Sequence, residues 1–165
     1  MAKSIILNNQ EINHKIRRIA FQILENNSNE KELILAGITK NGFLFAKQLE
    51  IILKEISDLK VILCEVKMDK KNPLSHIETS ISEKDYQNKS IVLVDDVLNS
   101  GSTLIYAIRH FLNVPLKQFK TAVLVNRNHK KYPVKADFKG VSLSTSIQEH
   151  ITVEFSKNKS VAYLE

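Results

Sequence analysis

IVLVDDVLNSGSTL, residues 91–104, is the stretch that decides the fold of this chain. Its first four residues are apolar and mostly β-branched, which is typical of a strand buried in a parallel sheet. Asp95 and Asp96 follow where the strand should end, and a loop of small residues comes next. The pattern then becomes helical, because five apolar residues recur with the spacing of one helix face: Leu104, Ala107, Ile108, Phe111 and Leu112. We therefore predict a strand, a loop and a helix.

The loop of this unit has the residue types of an anion site. Besides Gly101 it contains Asn99, Ser100, Ser102 and Thr103. A helix that follows such a loop presents free backbone N–H groups to it, while glycine permits a close backbone approach. Asp95 and Asp96 cannot hold a phosphate, but as pure acceptors they suit the hydroxyl groups of a neighbouring polyol. A phosphate beside a sugar diol indicates ribose 5-phosphate.

A plainer interpretation of the same stretch is a capped connection between a strand and a helix, without a ligand. Two other phosphate motifs are excluded by the residues themselves. No lysine follows Gly101, as a Walker loop requires, and one glycine stands where a dinucleotide fingerprint has three. The pattern alone therefore leaves a sugar-phosphate site and a structural turn open.

The composition is that of one globular domain spanning residues 1–165. Apolar residues make up 43% of the chain and charged residues 25%, which is ordinary for a globular protein. No run of 18 apolar residues predicts a membrane helix, and the N-terminus lacks the apolar segment of a signal peptide. The single cysteine, Cys64, lies in an apolar run, which favours a buried, reduced thiol and a cytoplasmic protein. The net charge of +6 favours polyanionic ligands, such as phosphates or RNA, without choosing between them.

A second strand, loop and helix lies earlier in the chain. Residues 33–38 are apolar, and a helical apolar face begins at Phe45. The loop between them consists of Thr39, Lys40, Asn41 and Gly42. It is either a second anion site at a helix N-terminus or a plain turn.

The remaining segments complete an α/β pattern. They predict a short strand at 4–7, a helix at 10–25, strands at 61–66 and 121–125, a long loop at 67–89 with room for a short hairpin, and a hairpin-like C-terminus from residue 151. We predict a mostly parallel central sheet flanked by helices, with a small C-terminal β element. Ligand loops should meet at the C-terminal edge of the parallel strands.

Two blocks of sequence resemble a known family. The strand, the acidic pair and the small-residue loop of residues 91–104 are similar to the phosphoribosyl pyrophosphate signature of the type I phosphoribosyltransferases. Residues 122–138, AVLVNRNHKKYPVKADF, and the later Thr145, Ser146 and Glu149 resemble the PyrR branch, whose members combine uracil phosphoribosyltransferase activity with attenuation of pyrimidine-operon mRNA. The resemblance extends from about residue 5 to the end of the chain.

This resemblance implies a pentosyltransferase that uses phosphoribosyl pyrophosphate and a nucleobase, with uracil as the first candidate. The 5-phosphate is expected on residues 99–103, and the ribose hydroxyls on Asp95 and Asp96. Pyrophosphate, with Mg²⁺ bound mainly through the substrate's oxygens, is expected toward residues 39–42. Arg127 and the backbone near Ile151 are expected beside the base, and no metal ligands are assigned to the protein.

Three departures from the family pattern bear on activity. Asn41 and Ser102 stand where PyrR-type members often have arginine, and lysine at position 40 cannot reproduce a bidentate guanidinium. Residues 67–73, KMDKKNP, replace a longer stretch in a region that covers the ligand in this family. Lys70 and Lys71 are candidates to approach the pyrophosphate there. A degenerate nucleotide-binding relative without turnover therefore stays open.

A regulator is the other alternative. The same pocket could sense uridine nucleotides while a basic face of a homodimer, or of a higher homo-oligomer, binds an mRNA leader. The candidates for that face are Lys15, Arg17, Arg18, Lys135 and Lys139. A solvated basic surface without RNA accounts for the same residues.

Overall fold

The computed structural model describes residues 2–165; Met1, which the predicted domain includes, lies outside the described residues. Nine strands and four helices are formed in this part of the chain. In chain order they are β1 (Ser4–Leu7), α1 (Asn9–Asn26), β2 (Glu32–Ile38), α2 (Asn41–Ile56), β3 (Lys60–Lys67), β4 (Glu78–Thr79), α3 (Glu83–Tyr86), β5 (Ser90–Leu98), α4 (Ser102–Phe111), β6 (Gln118–Arg127), β7 (Phe138–Leu143), β8 (Ile151–Glu154) and β9 (Val161–Leu164).

Six strands form the main sheet, in the order β4-β3-β2-β5-β6-β7. All neighbouring pairs are parallel except β3 and the two-residue β4. The two central strands, β2 and β5, are buried almost throughout, because helices cover both faces of a parallel sheet. The predicted α/β fold with a mostly parallel sheet is confirmed.

The helices divide the core into two layers. On one face of the sheet, α1 and α2 contribute buried residues such as Ile16 and Phe45, which pack with Leu35 and Val94 from the strands. On the other face, Tyr86 of α3 and the buried face of α4 pack against the alternate residues of the same strands. Side chains of one strand point alternately to opposite faces, so the continuous apolar runs of β2 and β5 supply both layers.

The chain ends form a second, three-stranded antiparallel sheet in the order β1-β9-β8. Its buried residues Ile151, Val153 and Ala162 join the core layer of α1 and α2. The predicted C-terminal β element is therefore present, and the N-terminal strand completes it.

Two elements, α3 and β7, were not predicted from the sequence. The long loop at 67–89 contains the predicted short hairpin, β3 with β4, and also α3. Helix α3 starts at a capping box in which Ser82 and Asp85 bond each other's backbone N–H groups, a signal that the sequence already contains. Strand β7 was not predicted, because it is an edge strand in which Gly140 replaces one of the expected β-branched residues.

Candidate active site

The C-terminal edge of the main sheet carries a cavity of about 190 Å³. Its wall is formed by Lys70, the continuous segment from Asp95 to Leu104, and Ile151. The chain crosses this edge from β5 to α4, so one short segment supplies both the acidic pair and the small-residue loop. A cavity at this position agrees with the general location of ligands in parallel α/β sheets.

The loop from Asn99 to Thr103 turns tightly into helix α4. Gly101 has φ of +89° and, as the N-cap residue, provides no side-chain cap; the N–H of Ser102 in the first turn donates to Ser100 Oγ at 3.2 Å. The first-turn N–H groups of a helix have no partner within the helix, and the first turn of α4 carries no acidic side chain that would repel an anion. A Cβ on Gly101 would lie 2.5 Å from Cγ2 of Val134, so glycine is required by packing as well as by φ.

The segment at residues 131–132 supports the loop at 99–103 through backbone hydrogen bonds. The backbone N–H groups of Lys131 and Tyr132 both donate to the carbonyl oxygen of Ser100, at 2.8 Å and 3.1 Å. These bonds hold the Ser100 carbonyl oxygen, and with it the loop, against residues 131–132.

Asp95 lies at the floor of the cavity and is almost completely buried, with 2% of its side chain exposed. Its Oδ1 accepts hydrogen bonds from the backbone N–H of Asp96 and from Nζ of Lys70, each at 2.9 Å. Burial raises the pKa of Asp95 to about 7; the Lys70 ammonium opposes this rise, and the Asp96 carboxylate adds to it. The site therefore contains an acidic group that can change its charge near neutral pH.

Asp96 is held between two partners. Its Oδ1 accepts from the backbone N–H of Val97, and its Oδ2 accepts from Nδ2 of Asn41, each at 2.9 Å. Nζ of Lys70 lies 3.7 Å from Oδ1 of the same carboxylate. Both carboxylates thus face one ammonium group.

The loop from Thr39 to Gly42 lies beside the acidic pair but does not line the cavity. Nδ2 of Asn41 also donates to the carbonyl oxygen of Val153, at 2.8 Å, and so links β8 to Asp96. The hydroxyl of Thr39 donates to the carbonyl oxygen of Val66 at 2.9 Å. The Thr39–Lys40 peptide is cis. A Cβ on Gly42 would lie 2.5 Å from the carbonyl oxygen of Val94, so this loop is packed directly on β5.

Arg127 is 9% exposed and ties three segments together at the end of β6. Its guanidinium donates to Thr145 Oγ1 at 2.8 Å, to the Ser146 carbonyl oxygen at 2.9 Å and to Asn99 Oδ1 at 3.3 Å. Asp137 does not contact this arginine: it accepts from the backbone N–H of Thr121 at 2.9 Å, nearer the opposite end of the strand.

Residues 2–165 also limit the class of site. Within that range, no group of three or more His, Cys, Asp or Glu side chains is placed to hold a metal ion. No helix of the same range is long and apolar enough to cross a membrane.

Known proteins with this sequence pattern are phosphoribosyltransferases. Residues 3–158 match the family described as phosphoribosyl transferase domain. The bifunctional protein PyrR of Streptococcus agalactiae is 31% identical over 157 residues, which cover 93% of this chain and 91% of the relative. The PyrR of Bacillus pumilus is 33% identical over 178 aligned positions, covering 99% and 98% of the two chains. The chain belongs to the PyrR-like branch of the type I phosphoribosyltransferases.

A solved structure of this superfamily has the same fold. The hypoxanthine phosphoribosyltransferase of Trypanosoma cruzi superimposes with a TM-score of 0.78, and the match covers 96% of this chain and 95% of that one. The sequence identity is 17%, so the likeness concerns the fold alone.

Within this phosphoribosyltransferase fold, the predicted site residues fall into two groups. The acidic pair, the loop at 99–103 and Ile151 line one cavity, and Arg127 contacts its rim through Asn99. The loop at 39–42 contacts the acidic pair from outside the cavity. The sequence reasoning missed the contact of Lys70 with both carboxylates, because no periodicity relates a loop residue to a strand end 25 positions away.

Proposed function

We propose that this phosphoribosyltransferase transfers the phosphoribosyl group of phosphoribosyl pyrophosphate to uracil, giving a nucleoside monophosphate and pyrophosphate. The main support is the single cavity that joins the acidic pair, Asp95 and Asp96, to the loop at 99–103. A sugar phosphate needs donors for its phosphate and acceptors for its hydroxyl groups, and this cavity offers both within one segment.

The 5-phosphate is assigned to the N-terminus of α4. Backbone N–H groups of the loop at 99–103 and the positive end of the helix dipole both favour an anion there. Gly101 permits the close approach of that backbone, and the hydroxyl groups of Ser100, Ser102 and Thr103 add donors.

In the reaction, a ring nitrogen of the base bonds to the anomeric carbon while the bond from that carbon to pyrophosphate breaks. The proton of that nitrogen passes to the departing pyrophosphate or to water, and positive charge develops on the sugar ring in the transition state. Asp95 and Asp96 accept from the ribose hydroxyls and stabilise that charge at short range. The protein otherwise contributes orientation, since no covalent nucleophile is needed.

The pyrophosphate is assigned to the side of the cavity nearest the loop at 39–42. Mg²⁺, when bound, neutralises charge on the leaving group. The donor set fits an ion carried by the substrate, because Asp95 and Asp96 are the two carboxylates lining the cavity in residues 2–165 and both already accept from other groups. Such an ion would keep most of its ligands from water and phosphate oxygens.

The base is assigned to the space between Ile151 and the rim that Arg127 fixes. Ile151 lines the cavity and provides an apolar surface for a flat ring. Because the Arg127 guanidinium is engaged with Asn99, Thr145 and Ser146, its main role in this proposal is to shape the pocket. A hydrogen bond from another N–H of Arg127 to the base is a secondary part of this proposal.

The test is a transfer assay with labelled phosphoribosyl pyrophosphate and a panel of uracil, hypoxanthine, guanine and orotate. We expect a labelled monophosphate with uracil. Asp96→Asn should lower kcat/KM roughly 10- to 100-fold, as expected for losing a hydrogen bond to a charged group. Asp58→Asn is the matched control, because Asp58 is exposed and far along the chain from the cavity.

Three results would revise the proposal in different ways. Product with a purine alone reassigns the base, and binding without product for any base favours a nucleotide sensor. Unchanged kinetics in Asp96→Asn contradict the placement of the sugar.

Binding of an mRNA leader is the second candidate function, and one contact favours it. The guanidinium of Arg18 donates to the carbonyl oxygens of Lys139 and Gly140, at 3.2 Å and 2.7 Å. This contact brings α1 beside β7, and Lys15 lies one helical turn before Arg18 on the same face of α1. Arg17 instead lies toward α2, where it pairs with Glu55 at 3.4 Å. Arg18 itself is engaged and is a weaker candidate for RNA contact. A homodimer presenting two such faces, and a cytoplasmic location, stay predictions from the sequence.

Titration of a leader RNA at several salt concentrations tests this candidate. Phosphate-dominated binding predicts that affinity falls steeply with salt, and each lost contact reduces the slope of log K against log salt by about 0.7 to 0.9. Lys15→Ala and Lys139→Ala should each reduce that slope by this amount. A salt-independent affinity contradicts a basic RNA face.

A further inference from the structure

The ammonium group of Lys70 occupies the acidic end of the cavity. Lys70 lies three residues beyond β3, and its Nζ is 2.9 Å from Asp95 Oδ1 and 3.7 Å from Asp96 Oδ1. The Lys70 side chain is 39% exposed; the neighbouring Lys71 is also exposed, but it does not line the cavity. One lysine of the pair therefore stands where a sugar's hydroxyl groups would have to bind.

This contact also anchors the segment that carries it. We call residues 69–77 the lid segment. Its other hydrogen bonds are internal turns, such as Asn72 N–H to the Asp69 carbonyl oxygen and Ser75 N–H to the Asn72 carbonyl oxygen. In the part of the chain that the structure describes, the Lys70–Asp95 bond is the one hydrogen bond from the lid segment to the rest of the protein.

The negative charge of Asp95 and Asp96 accounts for the position of the Lys70 ammonium between them. Two adjacent carboxylates, one of them fully buried, are unfavourable without a cationic partner. Burial lowers the pKa of Lys70, but the attraction of Asp95 and Asp96 outweighs it, so the pKa lies above its ordinary value and the group keeps its charge. A sugar diol is neutral, so an ammonium that it displaces must find another anion.

We propose that Lys70 is an internal occupant of the sugar site, which the ribose hydroxyls displace and which then pairs with the pyrophosphate. The proposal depends on the proposed phosphoribosyl transfer, because that reaction supplies both the diol and the adjacent polyanion. Lid release is thereby coupled to sugar binding, and Lys70 supplies a cation on the side where Asn41 replaces the arginine of other PyrR-type members.

Ligand affinities of Lys70→Gln and the matched control Lys71→Gln test the exchange. Ribose 5-phosphate carries the diol and the phosphate without pyrophosphate. Its affinity should rise roughly fivefold in Lys70→Gln, the equivalent of about 1 kcal/mol for an ion pair that no longer needs to be broken. The preference for phosphoribosyl pyrophosphate over ribose 5-phosphate should fall in the same variant. Lys71→Gln should leave the ribose 5-phosphate affinity unchanged, and an unchanged ribose 5-phosphate affinity in Lys70→Gln overturns the proposal.

Lysine labelling of the wild-type chain tests the same exchange without a variant. With an amine-reactive reagent and mass spectrometry, Lys70 should react more slowly than Lys71 in the free protein. Ribose 5-phosphate should accelerate the reaction of Lys70, and phosphoribosyl pyrophosphate should slow it again. Binding of ribose 5-phosphate with unchanged labelling of Lys70 contradicts the lysine exchange alone. No binding of either sugar phosphate contradicts the proposed function itself.

Discussion

The loops at 39–42 and 99–103 are built on the same plan and end in different structures. Each follows a buried parallel strand and leads into a helix at the same edge of the sheet. The later loop turns through Gly101 with a positive φ and borders an open cavity. The earlier loop is packed on β5 through Gly42, and Asn41 is engaged by Asp96 and β8.

The difference shows that a strand, a loop and a helix do not by themselves make an anion site. What separates the two loops is that the later one lines the cavity, whereas Asn41 of the earlier one is engaged by Asp96 and Val153 outside it. In our proposal the later loop binds the phosphate, and the earlier one holds the acidic pair in place. The predictions below test that division of roles.

The largest expected effect is on the pH dependence of stability and concerns Asp95. This residue packs against Gly42 of the earlier loop and lines the cavity together with the later loop. Its pKa of about 7 lies above its ordinary value of 3.8, so between about pH 4 and pH 7 the folded chain binds a proton that the unfolded chain does not. The free energy of unfolding should therefore fall as pH rises through this window, by about 4 kcal/mol in total. Asp95→Asn should remove this contribution, which urea denaturation between pH 4 and pH 8 would measure.

The relevant quantity is the difference in unfolding free energy between the wild type and Asp95→Asn. It should shift in favour of the variant up to about pH 7 and stay constant above it. Asp58→Asn, at an exposed carboxylate, should show no such shift. A constant difference for Asp95→Asn would mean that the buried carboxylate titrates normally.

Gly42→Ala should destabilise the fold by about 3 kcal/mol, in the upper part of the range for overpacking a well-filled site. The new Cβ would lie 2.5 Å from the Val94 carbonyl oxygen and 3.0 Å from Cα of Asp95. Both are backbone atoms of β5 and cannot move aside by a rotamer change. Urea denaturation measures the loss. A variant within 1 kcal/mol of the wild type would show that the earlier loop is not the rigid support assigned to it.

Gly101→Ala should destabilise the fold less than Gly42→Ala does. It should, however, weaken ligand binding more. A positive φ costs a residue with a side chain about 1 to 2 kcal/mol, and the Cβ would press on the Val134 side chain at 2.5 Å. Ribose 5-phosphate affinity should fall roughly tenfold, because a shift of the loop misaligns its amides. In the double variant Gly101→Ala with Val134→Ala, the clash is relieved while the strain from φ remains. Full recovery of affinity in that variant would contradict the role of the left-handed turn.

Local patterns predicted most of the fold. The apolar runs at 33–38 and 91–94 identified the two central strands, and the 3.6-residue spacing placed the first helix at 10–25, within one residue of α1 at each end. Strand β7 could not be recognised in this way, because a short edge strand with an interior glycine has a weak two-residue alternation. Its Gly140 is explained only in three dimensions, where a Cβ would lie 2.4 Å from the Leu124 carbonyl oxygen.

The candidate site follows the same rule. The acidic pair and the loop at 99–103 are contiguous in sequence, so their common cavity could be predicted from residue types alone. The contacts of Lys70 with Asp95, of Asn41 with Val153 and of Arg127 with Ser146 join residues that lie 19 to 112 positions apart. No periodicity reports such pairs, because they depend on where loops settle after the sheet has formed.

Asn41→Ala is the smallest expected effect, and it separates support from ligand binding most directly. The amide of Asn41 donates to Asp96 and to the Val153 carbonyl oxygen, so its removal should cost about 1 kcal/mol of stability. Ribose 5-phosphate affinity should change less than twofold, because Asn41 lies outside the cavity. Lys40→Ala, at an exposed position whose side chain caps nothing, is the control for stability and should be near neutral. If Asn41→Ala instead keeps its stability and loses ribose 5-phosphate affinity, the earlier loop is a ligand loop, and the contrast between the two loops fails.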